Sequence, residues 1–72
     1  MNIDQNTVNE LDQLQAKENQ GRGVSCVRTA IVYLRRNDLQ STKAVAHNEW
    51  DKISSYPDIA QWFKTYDLIE ED

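Results

Sequence analysis

The sequence predicts an all-α protein, a small bundle of three to four helices built around a central αα-hairpin. Apolar residues recur at helical spacing in three segments, and turn-forming residues separate those segments. The β-branched stretch "AIVY" would allow a strand, but it lies in a segment without strict apolar and polar alternation. The 72 residues suffice for one domain, 1–72, with a helical core over 24–69 and an acidic tail at 70–72.

Residues 1–20 are expected to form an N-terminal helix. Val8, Leu11 and Leu14 stand three residues apart, a spacing that drifts by about 60° per step around a helix. The apolar stripe is therefore weak, and polar residues such as Gln15 surround it. This helix could fray or be only loosely docked on the core.

The Gly-Arg-Gly sequence at 21–23 is interpreted as a hinge. Gly21 suits the left-handed position after a helix, and Gly23 permits a turn. The alternative is an anion-binding loop, in which Arg22 and the first free amides of the next helix hold a phosphate. No strand precedes these glycines, so the hinge is favoured.

The central hairpin is expected next. Its first helix has four apolar residues at the spacing of one helix face: Val27, Ala30, Ile31 and Leu34. Ser25 can cap this helix, Asn37 can form the turn, and Asp38 or Ser41 can cap the second helix. Four apolar residues are expected to line one face of the second helix: Leu39, Ala46, Trp50 and Ile53.

The stretch "YLRRNDLQSTKAVA" resembles a single hairpin of the tetratricopeptide class in the placement of its Ala, its Tyr-Leu pair and its turn. A tetratricopeptide protein stacks several hairpins, and one hairpin cannot stack as a solenoid. The resemblance therefore implies the hairpin and no function.

A last helix is predicted to start at Pro57, which suits the first turn of a helix. Four aromatic and aliphatic residues follow at helical spacing: Ile59, Trp62, Phe63 and Tyr66. Trp50 and Trp62 each lie centrally in an apolar stripe, so both are expected to anchor the core. The alternative for the aromatic residues is a platform that stacks nucleic-acid bases.

Composition limits the classes of function. The net charge of −4 disfavours non-specific attraction to nucleic acid or anionic lipid. One cysteine and one histidine exclude a disulfide and the familiar cysteine and histidine metal sites. No targeting segment is visible, and no apolar run approaches the roughly 20 residues of a membrane span. We expect a soluble cytoplasmic protein without a cofactor.

Two candidate sites for chemistry are weak. His47 and Asp51 stand one helical turn apart, but Glu49 lies about 160° round the helix from them, so the trio should not share one metal ion. Cys26, near Arg22 and Arg28 at a helix start, could have a lowered pKa and act as a nucleophile. Its position at the edge of an apolar face favours a buried structural cysteine.

The arginines are the strongest candidate site. Residues 19–37 hold four arginines and no acid, whereas both flanks are acidic. Arg28, Arg35 and Arg36 are expected opposite the apolar face of their helix, with Val32 among them. A basic patch around one aliphatic residue is typical of a docking face. The alternative is a salt-bridged surface covered by the first helix or the acidic tail.

The predicted function is a small helical interaction module or regulator without catalysis, which binds an acidic protein surface through Arg28, Val32, Arg35 and Arg36. Self-association is also predicted, with a homodimer as the simplest form. The alternative is a nucleic-acid-binding helix-turn-helix protein, which would offer Lys43, His47 and Asn48 to the groove. The acidic net charge makes nucleic acid an unfavoured partner.

Overall fold

The computed structural model of the chain describes residues 3–69, and all regular elements within that range are helical. The helices are α1 (Gln5–Ala16), α2 (Ser25–Arg35), α3 (Leu39–Asn48), α4 (Trp50–Ile53) and α5 (Pro57–Thr65), with a short 3-10 turn at Asn19–Gly21 between α1 and α2. The predicted fold class, a small helical bundle, is therefore confirmed. No helix among these residues has the length and apolar character of a membrane span. The predicted acidic tail at 70–72 lies outside the described residues.

The helix α2 is the centre of the bundle. It packs against α1 on one side and against α3 on the other, and α1 also packs against α5. The α2–α3 contact is the most extensive in the described chain, which confirms the predicted αα-hairpin. The short α4 connects α3 to α5 and touches both.

One hydrophobic core joins the helices. Its buried members are Val8, Leu11, Val24, Val27, Ala30, Ile31, Leu34, Ala46, Ile53, Ile59, Trp62, Phe63 and Leu68. Val8 and Leu11 are fully buried, so α1 forms part of the core and is more than a loosely docked segment. Burial of such side chains contributes about 1.5–3 kcal/mol each before conformational entropy is subtracted.

The predicted second helix of the hairpin is broken at Glu49. That residue has φ −111° and ψ 19°, so α3 ends at Asn48 and α4 begins at Trp50. The expectation of one continuous helix was wrong.

Trp50 is half-buried against the core, whereas Trp62 is only 6% exposed. Of the two predicted anchors, Trp62 is therefore buried within the core, and Trp50 packs against it partly buried.

The helix starts follow the predicted caps in two of three cases. The Asp38 carboxylate accepts hydrogen bonds from the Ser41 hydroxyl (2.7 Å) and backbone amide (3.1 Å), and these bonds lower the pKa of Asp38. Pro57 occupies the first turn of α5. Ser25 does not cap α2, because it is already the first helical residue and Val24 holds the cap position without a side-chain hydrogen bond.

The loop between α1 and α2 is organised by Gln15. This side chain is 4% exposed, and its Oε1 accepts the buried backbone N–H of Val24 at 2.9 Å. Its Nε2 donates to Oδ1 of Asp12 at 2.8 Å. Gly21 and Gly23 have φ of +83° and +78°, so both lie in the left-handed region, but α1 already ends at Ala16 and Gly21 closes the 3-10 turn instead of following α1 directly. The sequence interpretation had placed Gln15 on the polar surface of α1, and this was wrong.

We expect Gly23→Ala to destabilise the protein more than Gly21→Ala. Both positions have a left-handed φ, which costs an alanine about 1–2 kcal/mol. A Cβ at Gly21 would meet open space, whereas a Cβ at Gly23 would collide with Oε1 of Gln15. Displacing Gln15 would leave the Val24 amide buried without a partner, which costs about 1–3 kcal/mol more. Urea unfolding of both variants measures the difference, and equal losses would contradict this role of Gln15.

Candidate functional site

The exposed face of α2 is the candidate site. Val32 is 47% exposed and is the only large hydrophobic side chain among residues 3–69 that is exposed. Arg28 and Arg36 stand four residues before and after it, so the three side chains form one row along the helix surface. Small residues, Ser25 and Thr29, are exposed beside this row. We call these five residues the α2 strip.

Arg28 is held at one end of the α2 strip by the preceding loop. Its Nη1 donates a hydrogen bond to the carbonyl oxygen of Arg22 at 2.8 Å. A guanidinium has five N–H donors in a planar fork, so this single bond orients the group and leaves other N–H donors available to a partner. The Arg28 guanidinium is therefore fixed at the N-terminal end of the α2 strip, next to Arg22 and Gly23.

Arg36 closes the other end of the α2 strip. It is the C-cap residue of α2 and is exposed. Its guanidinium makes no hydrogen bond within residues 3–69, and its charge contributes to lowering the pKa of Asp38. The strip carries no carboxylate, because residues 19–37 contain none. The charged residues of the strip itself are therefore all positive, and carboxylates flank it outside: Asp38 near Arg36, and Glu49 in the cleft that Ser25 and Thr29 line.

Arg35 belongs to a different surface. Its guanidinium crosses to α1, where it donates to Oε1 of Gln5 (3.1 Å) and Oδ1 of Asn9 (3.1 Å) and lies 3.8 Å from Oδ2 of Asp12. The sequence placed Arg35 opposite the apolar face together with Arg28 and Arg36. The structure places it on the flank that faces α1, where it joins two helices.

We expect Arg35→Ala to lower the free energy of unfolding by about 1 kcal/mol, since it removes a half-exposed ion pair and two hydrogen bonds. Arg36→Ala is the matched control and should change it by less than about 0.5 kcal/mol, as exposed substitutions usually do. Urea unfolding measures both values. Hydrogen exchange should also show faster opening of α1 in the Arg35 variant alone. A larger loss for the Arg36 variant would contradict the assignment.

Cys26 lies on the opposite side of α2 from Arg35. It is half-buried and lines a cleft with Asn48, Glu49 and Lys52 from the end of α3 and from α4. Burial and the Glu49 carboxylate both raise the pKa of the Cys26 thiol. The thiol is therefore protonated at neutral pH, and the hypothesis of an activated nucleophile is not supported.

The rate at which Cys26 reacts with iodoacetamide should increase with pH, because only the thiolate reacts. The pH of half-maximal rate should lie above the pKa of an ordinary cysteine thiol. Glu49→Gln should shift this midpoint to lower pH, because it removes a negative charge that disfavours the thiolate. Asp51→Asn is the control, since it removes an exposed carboxylate of α4 that is not among the causes of the shift. Equal shifts in the two variants would contradict the role of Glu49.

His47, Glu49 and Asp51, near the end of α3, do not converge on one point. The break at Glu49 places His47 on α3 and Asp51 on α4, and the Glu49 carboxylate lies 3.2 Å from the Lys52 ammonium. Within the described range, no group of three or more metal-binding side chains could hold an ion. The three residues are therefore not arranged around one metal ion.

The face of α3 that a helix-turn-helix protein would use to bind nucleic acid lies beside the segment that follows α5. Lys43, His47 and Asn48 are exposed, as that alternative requires. However, Lys43 and His47 line a cleft together with Asp67 and Ile69 from the segment that follows α5. A phosphate approaching this face would meet a carboxylate, which weakens the electrostatic attraction on which nucleic-acid binding depends.

Comparison of the chain with protein-family models, with curated proteins and with solved structures finds no match. No relative therefore supports the tetratricopeptide resemblance of the hairpin. The α2 strip and the contacts that shape it are therefore the features that bear on function.

Proposed function

We propose that this protein is a small cytoplasmic interaction module without catalytic activity, which binds a protein partner through the α2 strip. The main support is the exposure of Val32, which is 47% accessible in a chain that buries most of its other large aliphatic side chains. An aliphatic side chain in water gains free energy when a partner covers it, by about 25 cal/mol per Å². A partner that covers Val32, at the centre of the strip, would gain this free energy.

The chemistry of the strip suits a protein interface. An apolar centre with a polar rim is the usual anatomy, and arginine is enriched at such surfaces. Here Val32 is the centre, and Arg28 and Arg36 form the rim. The all-positive rim favours an acidic partner, because complementary charge speeds encounter and rejects wrong partners. A single aliphatic residue supports a weak, reversible complex.

The helix-turn-helix alternative has less support. Its candidate helix α3 exposes Lys43 and His47, but Asp67 lies in the same cleft. The chain as a whole carries a charge of −4. A homodimer also stays a prediction, and with the strip bound to an acidic partner it would have to form through another surface.

The test is photo-crosslinking in the cells that naturally make the protein. A benzophenone amino acid at Thr29, on the strip, should crosslink to a discrete protein, whereas the same amino acid at exposed Gln61 on α5 should not. Val32→Asp should abolish the Thr29 product, because a carboxylate replaces the apolar centre. Identical products at both positions, or a product that survives Val32→Asp, would exclude the strip as the binding site.

A further inference from the structure

We infer that the partner of the α2 strip is an acidic amphipathic helix of another protein, and that a second copy of this chain is not its occupant. The inference rests on the proposed function and adds the chemistry and shape of the bound segment. It follows from the order of charged and apolar residues along the strip, and from the charge repulsion that a two-fold dimer through the strip would create.

The row of the strip has a defined length. Arg28 and Arg36, the C-cap residue of α2, are eight residues apart, which places their Cα atoms about 12 Å apart along the helix axis with Val32 midway. Residues four apart form a ridge on a helix surface, and a groove separates it from the next ridge. Here the first two residues of the next row, Ser25 and Thr29, are small and line the cleft toward α3 and α4, so a groove runs along that side of the ridge.

Such a ridge fits a helix better than an extended segment. A bound strand needs free backbone N–H and C=O groups from a sheet edge, and residues 3–69 contain no strand. The backbone groups within α2 are already paired inside the helix. Side chains alone can make the contact, as in complexes where an amphipathic helix lies on a complementary surface.

Symmetry argues against a second copy of this chain. In a two-fold dimer centred on Val32 with antiparallel helices, Arg28 of one copy lies opposite Arg36 of the other. With parallel helices, each arginine lies opposite its own equivalent. Both arrangements place positive charges together, and like-charge juxtaposition at an interface is unfavourable. A head-to-tail contact between two copies avoids placing arginine against arginine, but it does not close into a dimer.

The complementary segment can therefore be specified. A helix with the same rise per residue matches the strip when two carboxylates are eight residues apart and an apolar residue lies midway between them. The carboxylates would pair with Arg28 and Arg36, and the apolar residue would cover the exposed part of Val32. Arginine and carboxylate groups can form two parallel hydrogen bonds, which favours this pairing over a general attraction of charges.

The experiment is a titration of the full-length, isotope-labelled chain with synthetic stapled helical peptides, followed by its amide resonances. The probe peptide carries Glu at positions i and i+8 and Leu at i+4. Its matched control has the same composition with the second Glu at i+6, which moves that carboxylate from about 40° to about 160° away from the Leu around the helix. We expect resonance shifts confined to residues 25–37 and about tenfold weaker binding of the control, equivalent to about 1.4 kcal/mol.

Variants of the chain separate this contact from a diffuse charge effect. Val32→Asp and Arg36→Glu should each weaken binding of the probe peptide several-fold. Lys43→Glu makes the same charge change on α3, outside the strip, and should leave the affinity unchanged. Thermal unfolding of each variant checks that it is folded under the conditions of the titration.

Three results would overturn the inference. One is equal affinity for the two peptides, or equal weakening by Lys43→Glu and Arg36→Glu, because the attraction would then be non-specific. Another is a dimer in sedimentation that Val32→Asp dissociates, because a second copy would then occupy the strip. The third is failure of the probe peptide while the Thr29 crosslink still depends on Val32; the proposed function would then stand without the acidic helix.

Discussion

The buried hydrogen bond between Gln15 and the Val24 amide determines how the first two helices meet. It joins the end of α1 to the residue before α2, and Gly23 provides the close approach that it needs. A buried N–H without an acceptor would be costly, so this contact restricts the hinge to one geometry. The flank of α2 that α1 covers follows from that geometry, and so does the face that remains exposed.

The remaining contacts divide the polar surface of α2 by function. Arg35 reaches α1 on one flank, and on the other flank Cys26 lines a cleft with the end of α3 and with α4. The strip between them keeps Arg28, Val32 and Arg36. Residues a few positions apart on one helix therefore have different roles, one joining helices within the molecule and the others facing solvent. Helical position alone does not separate these roles, because the neighbouring helix decides which flank is covered.

The sequence predicted the features that depend on local chemistry. The αα-hairpin, the Asp38 cap and the start of α5 at Pro57 follow from side-chain spacing and from backbone preferences of single residues. The features that it missed depend on distant partners. Gln15 looks like any polar residue of α1 until Val24 is brought beside it, and Arg35 cannot be distinguished from Arg36 without α1. A buried glutamine next to a glycine hinge has no spacing pattern that would reveal it.

The arginines of the α2 strip explain how an exposed valine can be tolerated in so small a protein. An exposed apolar side chain invites association with any apolar surface, including that of another copy. Positive charges at both ends of the row oppose a symmetric dimer, because the symmetry places arginine against arginine. The same charges favour a segment that carries carboxylates at matching positions. Specificity is a difference between the affinities for two partners. The pair of arginines can increase that difference in two ways, because it repels a second copy of this chain and attracts an acidic segment of another protein.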